Sequence, residues 1–179
     1  MRSILSKSLL IGLCLAAAGC VAHVAFETEP DWYARSSGPY MMSHERVFYG
    51  IGSAAGTGPS TLMRATADNR ARAEMARILR RYLAALSRIS PTMGARANEE
   101  REQLEGRLLQ QALDRAVISD HWSQGPSNRL FALCEISLAS FKQVLQEDAS
   151  LDKALRTDLL TRAETAHAQL SQNFQTDNQ

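Results

Sequence analysis

Residues 46–89 decide the fold, and they read RVFYGIGSAAGTGPSTLMRATADNRARAEMARILRRYLAALSRI. The first part, 47–52, is rich in β-branched and aromatic residues, which favours a strand, and its glycines permit another backbone to approach closely. The Gly- and Pro-rich segment 53–59 then interrupts any regular period. Ser60 is a suitable N-cap for a helix whose apolar residues, small at first and larger later, predict tight packing on a sheet. They recur every three or four positions as Met63, Ala67, Ala71, Met75, Leu79, Tyr82 and Leu86.

The opposite face of this predicted helix is rich in arginine. Two acidic residues, Asp68 and Glu74, are interspersed among the basic ones. The mixture indicates a solvated face or a subunit contact rather than a surface for nucleic acid. The basic residues are Arg64, Arg70, Arg72, Arg77, Arg80 and Arg81.

The first 19 residues have the features of a lipoprotein signal peptide. Arg2 and Lys7 form a basic start, and the apolar run 9–18 is too short to span a bilayer. The small residues Ala17-Ala18-Gly19 come directly before Cys20, which suits cleavage by a signal peptidase and lipidation of the thiol. The alternative is an ordinary secretory signal followed by a chance cysteine. We predict lipidation.

A lipid on Cys20 would anchor the mature chain to a membrane without a membrane-spanning segment. The next residue is Val21, which differs from the aspartate of an inner-membrane retention signal. We therefore predict residence at the outer membrane, with the protein facing the periplasm or the cell surface.

Removal of the signal peptide changes the net charge and the number of cysteines. Removing Arg2 and Lys7 from the 20 basic residues leaves 18 against 19 acidic ones, a net charge near −1. No basic excess remains, so we predict no nucleic-acid partner. Of the three cysteines, Cys14 leaves with the leader and Cys20 takes the lipid. Cys134, which alternates with apolar residues, is interpreted as a small buried hydrophobe.

The remainder of the chain predicts a second helix, a β-hairpin and terminal helices. A break at Ser90-Pro91 separates the long helix from an apolar helical period over 97–116. Residues 117–124 then alternate with period two, which places Ile118, Asp120 and Trp122 on one side. A Gly-Pro turn leads to the apolar strand 129–138, and the apolar stripe of 151–170 predicts a last helix.

These segments together predict an α+β domain of order β-α-α-β-β-α with an added C-terminal helix. We expect the long helix and the second helix on one face of a small, three-stranded, mostly antiparallel sheet. The open edges of so small a sheet favour a homo-oligomer. The chain divides into a signal peptide (1–19), a lipidated N-terminus and tether (20–45), the α+β domain (46–148), and a C-terminal helix with a frayed tail (149–179).

Three aromatic residues are candidates for contact with a partner. Trp32 and Tyr33 form an apolar island in the tether, and Trp122 lies on the predicted hairpin. Such an island usually packs onto the domain and marks where order begins. The alternative is that Trp32, Tyr33 and Trp122 line a groove for peptidoglycan, a peptide or an envelope enzyme.

Several motifs of the chain follow one another in a distinctive order. They are Pro30-x-Trp32, the strand end Tyr49-Gly50-Ile51-Gly52-Ser53-Ala54, a helix with Ala67, Ala71, Arg72, Glu74 and Ala76, and a hairpin with Ile118-x-Asp120-x-Trp122 and Leu130-Phe131-Ala132-Leu133. This series resembles the Lpp-twenty lipoprotein family over residues 30–140. It departs from the family pattern at Phe131, where tyrosine is expected, in the turn 124–129, and in the helix after Asp148.

The resemblance implies an outer-membrane lipoprotein without catalytic residues. Members of that family include a surface antigen and flagellar lipoproteins of the basal disc or of the outer-membrane ring around the motor. The resemblance also implies a helix-on-sheet unit similar to a dodecin-like fold, a shape that assembles into rings. The unmatched C-terminal helix leaves the transfer of partners open.

No convincing catalytic or cofactor motif stands out in the sequence. Gly50-x-Gly52-x-x-Ala55 fits the dinucleotide fingerprint, but Gly58-Pro59 delays the helix, and Glu74 lies in mid-helix where a ribose-binding acid should follow a second strand. Close packing of a helix on the sheet explains the glycines better. The histidines of the mature chain are scattered and lack metal-ligand spacing. We predict no enzyme activity and no catalytic, cofactor-binding or metal-binding residue.

Two functions therefore remain. The first is a structural or assembly component of the cell envelope, which in its specific form is associated with a flagellar basal disc or ring. The second is a periplasmic binding module or activator that recognises peptidoglycan or an envelope enzyme. The predicted partners are the outer membrane through the lipid anchor, further copies of the chain, and flagellar or other envelope proteins.

Overall fold

A computed structural model describes residues 28–57 and 60–177, and it confirms the α+β class. The described chain contains a four-stranded sheet and helices on both of its faces. The elements are α1 (Asp31–Arg35), β1 (Gly38–Met42), β2 (Glu45–Ala55), α2 (Ser60–Ile89), α3 (Pro91–Gly94), α4 (Asn98–Arg115), β3 (Val117–Gln124), β4 (Arg129–Ser137), α5 (Leu138–Glu147) and α6 (Lys153–Asp177).

The sheet has the order β1-β2-β4-β3, and every neighbouring pair is antiparallel. The prediction of three strands is therefore wrong, because it lacks β1. Gly38-Pro39 indicates a turn in the sequence, yet proline is compatible with an edge strand. Ser43 and His44 close the β1–β2 hairpin with φ values of 45° and 76°. This left-handed pair usually takes asparagine and glycine, so the hairpin had no sequence signal.

Helix α2 lies directly across β2 and β4, and two glycines of β2 make this approach possible. A Cβ on Gly50 would lie 2.5 Å from the carbonyl oxygen of Ala71 and 2.6 Å from the amide nitrogen of Met75. A Cβ on Gly52 would lie closer still to the α2 backbone. The interpretation of these glycines as positions of close helix–sheet packing is confirmed.

The main core fills the space between the sheet and α2, α4, α5 and α6. Tyr82 is fully buried in this core, and its hydroxyl donates to the carbonyl oxygen of Ala163 at 3.0 Å. Its ring packs edge-on against Phe48 and Phe141, with centroids 4.9 and 5.0 Å away. Helix α4 packs mainly on α2 and α5, while α6 packs on α2, α5 and β1.

The other face of the sheet carries a smaller aromatic core, to which α1 contributes. Its buried members come from α1, β2, β3 and β4, so it ties the first described helix to three strands. We call it the aromatic core, and it consists of Trp32, Val47, Tyr49, Trp122, Phe131 and Leu133.

Both ends of the predicted domain are more ordered than the sequence indicates. Residues 31–42, which the sequence places in the tether, form α1 and β1. The tail that is expected to fray from Ser171 is helical as far as Asp177, and Phe174 is buried. The signal peptide (1–19), Cys20 and the first part of the tether lie outside the described residues, and the domain boundaries stay a prediction.

Candidate functional site

Helix α1 holds two of the three predicted contact residues, Trp32 and Tyr33. Pro30 precedes the helix, Asp31 lies in its first turn and Arg35 in its last, which is the charge order that a helix dipole favours. Five residues are too few for a helix to be stable alone in water. The position of α1 therefore depends on what its aromatic side chains pack against.

The structure brings Trp32, Tyr33 and Trp122 together in the aromatic core. The ring centroid of Tyr33 lies 4.6 Å from that of Trp122 and 4.8 Å from that of Phe131. Only 8% of Trp32 and 7% of Trp122 are exposed, whereas Tyr33 is half-buried. The two indoles therefore serve the fold, in agreement with an island that packs onto the domain. A contact between the three residues and a partner stays a prediction.

Asp120 fixes α1 to the sheet, a role that no motif in the sequence indicates. The indole Nε1–H of Trp32 donates to Asp120 Oδ2 at 2.7 Å, and the backbone N–H of His121 donates to Asp120 Oδ1 at 2.8 Å. A β-bulge between Ile118 and Asp120 shifts the alternation of β3. Ile118 consequently packs on the main core, while Asp120 and Trp122 face α1. The prediction that these three side chains lie on one side of the strand is therefore wrong.

The ring of His121 continues this network to the long helix α2. His121 Nε2 lies 2.5 Å from Asp68 Oδ1, and Nδ1 lies 2.9 Å from Arg64 Nη2. A guanidinium only donates hydrogen bonds, so Nδ1 accepts, and the proton assigned to Nε2 is donated to Asp68. A continuous set of hydrogen bonds therefore joins α1, β3 and the first turns of α2.

The arginines of α2 also bind their own chain. Arg70 donates to the carbonyl oxygen of Ser53 at 2.5 Å, and Arg72 donates to that of Ala116 at 3.2 Å. Arg81 lies over the ring of Phe174, with 5.1 Å between the guanidinium carbon and the ring centroid. These contacts give the arginine-rich face a structural role in joining α2 to the sheet and to α6.

A partly buried carboxylate, Asp158, and a buried one, Asp148, link the helices on the other side of the molecule. Asp158 accepts from the Ser90 hydroxyl at 2.5 Å and from Arg162 at 2.6 Å. Burial alone would raise the pKa of Asp158, but hydrogen bonds from Ser90, Arg162 and Thr92 outweigh it and hold the pKa below its usual value. Asp158 therefore fastens α6 to the start of α3.

Asp148 plays the same part where α5 ends. It accepts hydrogen bonds from Ser150 and from Gln111 of α4. Burial opposes ionisation here too, yet these hydrogen bonds and the nearby Arg107 hold the pKa of Asp148 below its usual value. The carboxylate thus remains charged at neutral pH and joins the α5–α6 connection to α4.

A groove of about 540 Å³ lies between the β1–β2 turn and the helices α5 and α6. Lys142 and Glu164 form an ion pair of 3.3 Å at its side. Charged groups of both signs, two glutamine amides and a few apolar side chains line this groove. They are Met41, His44, Glu45, Arg46, Leu138, Ala139, Lys142, Gln143, Gln146 and Glu164.

Cys134 is a free cysteine that is buried in the main core. Burial raises the pKa of the Cys134 thiol to about 11, so the thiol is protonated at neutral pH. This agrees with its interpretation as a small hydrophobe. Among residues 28–57 and 60–177, no group of three or more His, Cys, Asp or Glu side chains is arranged to hold a metal ion.

Buried His167 predicts a loss of stability in mild acid. Its pKa lies below the usual value, mainly because burial disfavours the imidazolium, although the hydrogen bond to the carbonyl oxygen of Val47 opposes this effect. Below about pH 6.5 the unfolded chain takes up a proton that the folded chain refuses, so stability falls with a slope of at most about 1.4 kcal/mol per pH unit. Asp148 and Asp158 add a loss only below about pH 3.8.

Urea unfolding between pH 7.5 and 5 measures this dependence. We expect His167→Gln to reduce the slope, while His44→Gln, a change of an exposed histidine, leaves it in place. An unchanged slope in His167→Gln would show that another group is responsible.

No protein-family model matches this chain, and no curated protein matches it significantly. The resemblance to the Lpp-twenty lipoprotein family stays a prediction. None of the helices in the described part of the chain has the length and apolar character needed to cross a bilayer.

Proposed function

We propose that the protein is a non-catalytic outer-membrane lipoprotein that acts as a structural or assembly component of the cell envelope. The observation that supports this best is the fixing of α1 on the sheet by the bond from Trp32 to Asp120. Trp32 follows the predicted lipid site Cys20 by twelve residues. A chain of that length spans about 40 Å at most, so a lipid on Cys20 would hold the folded body close to the membrane surface.

The polar side chains of the body support a role in contact rather than in catalysis. Asp120, His121, Asp148 and Asp158 each join different elements of the fold through hydrogen bonds. Such networks make a body rigid when every group has its partner. A rigid body on a short tether is suited to assembly beside a membrane.

The proposed partners are further copies of the chain and other envelope proteins. In the specific form of the proposal, these belong to a flagellar basal disc or outer-membrane ring, for which the support is the resemblance of residues 30–140 to the Lpp-twenty lipoprotein family. The structural component would face the periplasm or the cell surface.

Cross-linking in intact cells tests this function. The full-length protein, tagged at its C-terminus, is cross-linked at its native level and purified under denaturing conditions. We expect a series of homo-oligomers together with a small set of envelope proteins, and we expect Cys20→Ser to lose the envelope proteins. Recovery of the monomer alone would contradict the proposal.

The groove beside α5 and α6 favours a second candidate function, a periplasmic binding module or activator that recognises peptidoglycan or an envelope enzyme. Its volume lies in the range of small-ligand pockets, roughly 300–1,000 Å³. Arg46, Lys142, Glu45 and Glu164 could pair with the carboxylate and ammonium groups of a short cell-wall peptide. Calorimetry with purified peptidoglycan fragments tests this function, and binding that Lys142→Ala and Arg46→Ala leave unchanged would count against it.

A further inference from the structure

The two edges of the sheet are protected in different ways. The outer side of β1 is covered by α6, because Ser171 donates to the carbonyl oxygen of Pro39 at 3.2 Å and Phe174 lies against Gly38. At the other end of the sheet, no strand of the described chain pairs with the outer side of β3. The sequence of β3 also lacks lysine and proline, the residues that usually protect an edge. The outer edge of β3 therefore depends on local features for its protection.

Two such features are present on β3. The first is the bulge between Ile118 and Asp120, which interrupts a regular edge. The second is the hydrogen bond from the His121 N–H to Asp120 Oδ1. This N–H donates to a side chain of its own strand. We infer that the His121 N–H faces the outer edge, where it would otherwise be available to another strand. By the two-residue alternation of a strand, the N–H of Ser123 faces the same way.

Trp32 stabilises the hydrogen bond from the His121 N–H to Asp120. The carboxylate of Asp120 uses one oxygen for the Trp32 indole and the other for the His121 N–H. Without the indole, this exposed carboxylate is free to rotate into solvent and to leave the N–H uncapped. Trp32 lies on α1, the first helix of the described chain, so the position of α1 determines whether the edge is capped.

We propose that α1 is an autoinhibitory latch on β3, and that release of Trp32 from Asp120 opens the edge to β3 of a second copy of this chain. Within residues 28–57 and 60–177, β3 is the edge strand that no helix or strand covers. A two-fold axis that pairs β3 with β3 of a second copy gives a closed dimer with a continuous eight-stranded sheet and no unpaired edge at the contact. The latch gives a mechanism for the self-association in the proposed function, and it therefore rests on that function. It does not depend on the lipid on Cys20.

Sedimentation of the full-length protein in density-matched detergent tests the latch. Trp32→Phe keeps an aromatic ring but removes the indole donor. Asp120→Ala keeps the indole but removes both acceptor oxygens, so the His121 N–H loses its cap. We expect each variant to lower the dimer dissociation constant about tenfold, since one edge N–H is uncapped in both. Tyr33→Phe changes a ring that packs against the aromatic core and leaves Asp120 in place, so it serves as the control and keeps the wild-type constant.

Two further variants test whether β3 forms the dimer contact and whether Trp32 and Asp120 act together. Ser123→Pro in the Trp32→Phe background removes an outward N–H and is expected to abolish the gain, whereas the double variant Trp32→Phe/Asp120→Ala gains no more than Asp120→Ala alone. Unchanged association in Trp32→Phe and Asp120→Ala overturns the latch, and so does a gain that survives Ser123→Pro. If Trp32→Phe fails to fold, Asp120→Ala tests the cap by itself, and unchanged association of that variant overturns the latch. A change in Cys20 tests the lipid anchor separately.

Discussion

Replacing Gly52 by alanine is expected to lower the free energy of unfolding by about 3 kcal/mol or more. The new Cβ would meet backbone atoms of α2 between Ala67 and Ala71, and backbone atoms cannot swing aside as the tip of a side chain can. Helix α2 would have to move away from β2 along its small-residue half, which would open the main core. Urea unfolding followed by circular dichroism measures the loss.

Gly106→Ala is the matched control for this prediction. Gly106 lies within α4, and a Cβ there would have no heavy atom within 4 Å. Alanine should therefore stabilise the protein by about 0.5–1 kcal/mol, because it restricts the unfolded chain and favours the helix. If Gly52→Ala were as stable as the wild type, the close contact of α2 with β2 would be wrong.

Replacing Cys20 by serine is expected to move nearly all of the protein from the membrane fraction to the soluble fraction. Acyl chains contribute about 0.8 kcal/mol for each buried CH₂ group, and serine has no thiol to receive them. Alkaline washing of envelopes followed by immunoblotting measures the distribution. Cys134→Ala, which changes the buried cysteine of the folded body, is the control and should remain with the membrane. Retention of Cys20→Ser in washed envelopes would mean that another feature holds the protein there.

The parts of the fold that depend on short-range patterns were predictable from the sequence. The period of α2, the break at Ser90-Pro91 and the alternation of β4 each lie within one continuous segment, and the structure confirms them. Gly50 and Gly52 were also interpretable, because two glycines in a strand next to a small-residue helix indicate close packing. Local sequence was therefore enough to predict the packing of α2 on the sheet.

The features that were missed depend on unusual backbone or on distant residues. Strand β1 was missed because Ser43 and His44 adopt a left-handed turn that their residue types do not predict. The bulge in β3 has no glycine to mark it, so Ile118 was placed on the wrong side. The bond between Trp32 and Asp120 joins residues 88 positions apart, and no pattern in a single sequence relates them.

Mass spectrometry of the mature N-terminal peptide tests the membrane anchor most directly. The protein is purified from its native envelope, digested and analysed for its first residue and that residue's mass. We predict a chain that begins at Cys20, with a diacylglyceryl group on the sulfur and a further acyl group on the amine. A mature chain that begins elsewhere, or an unmodified Cys20, would contradict the proposed lipoprotein.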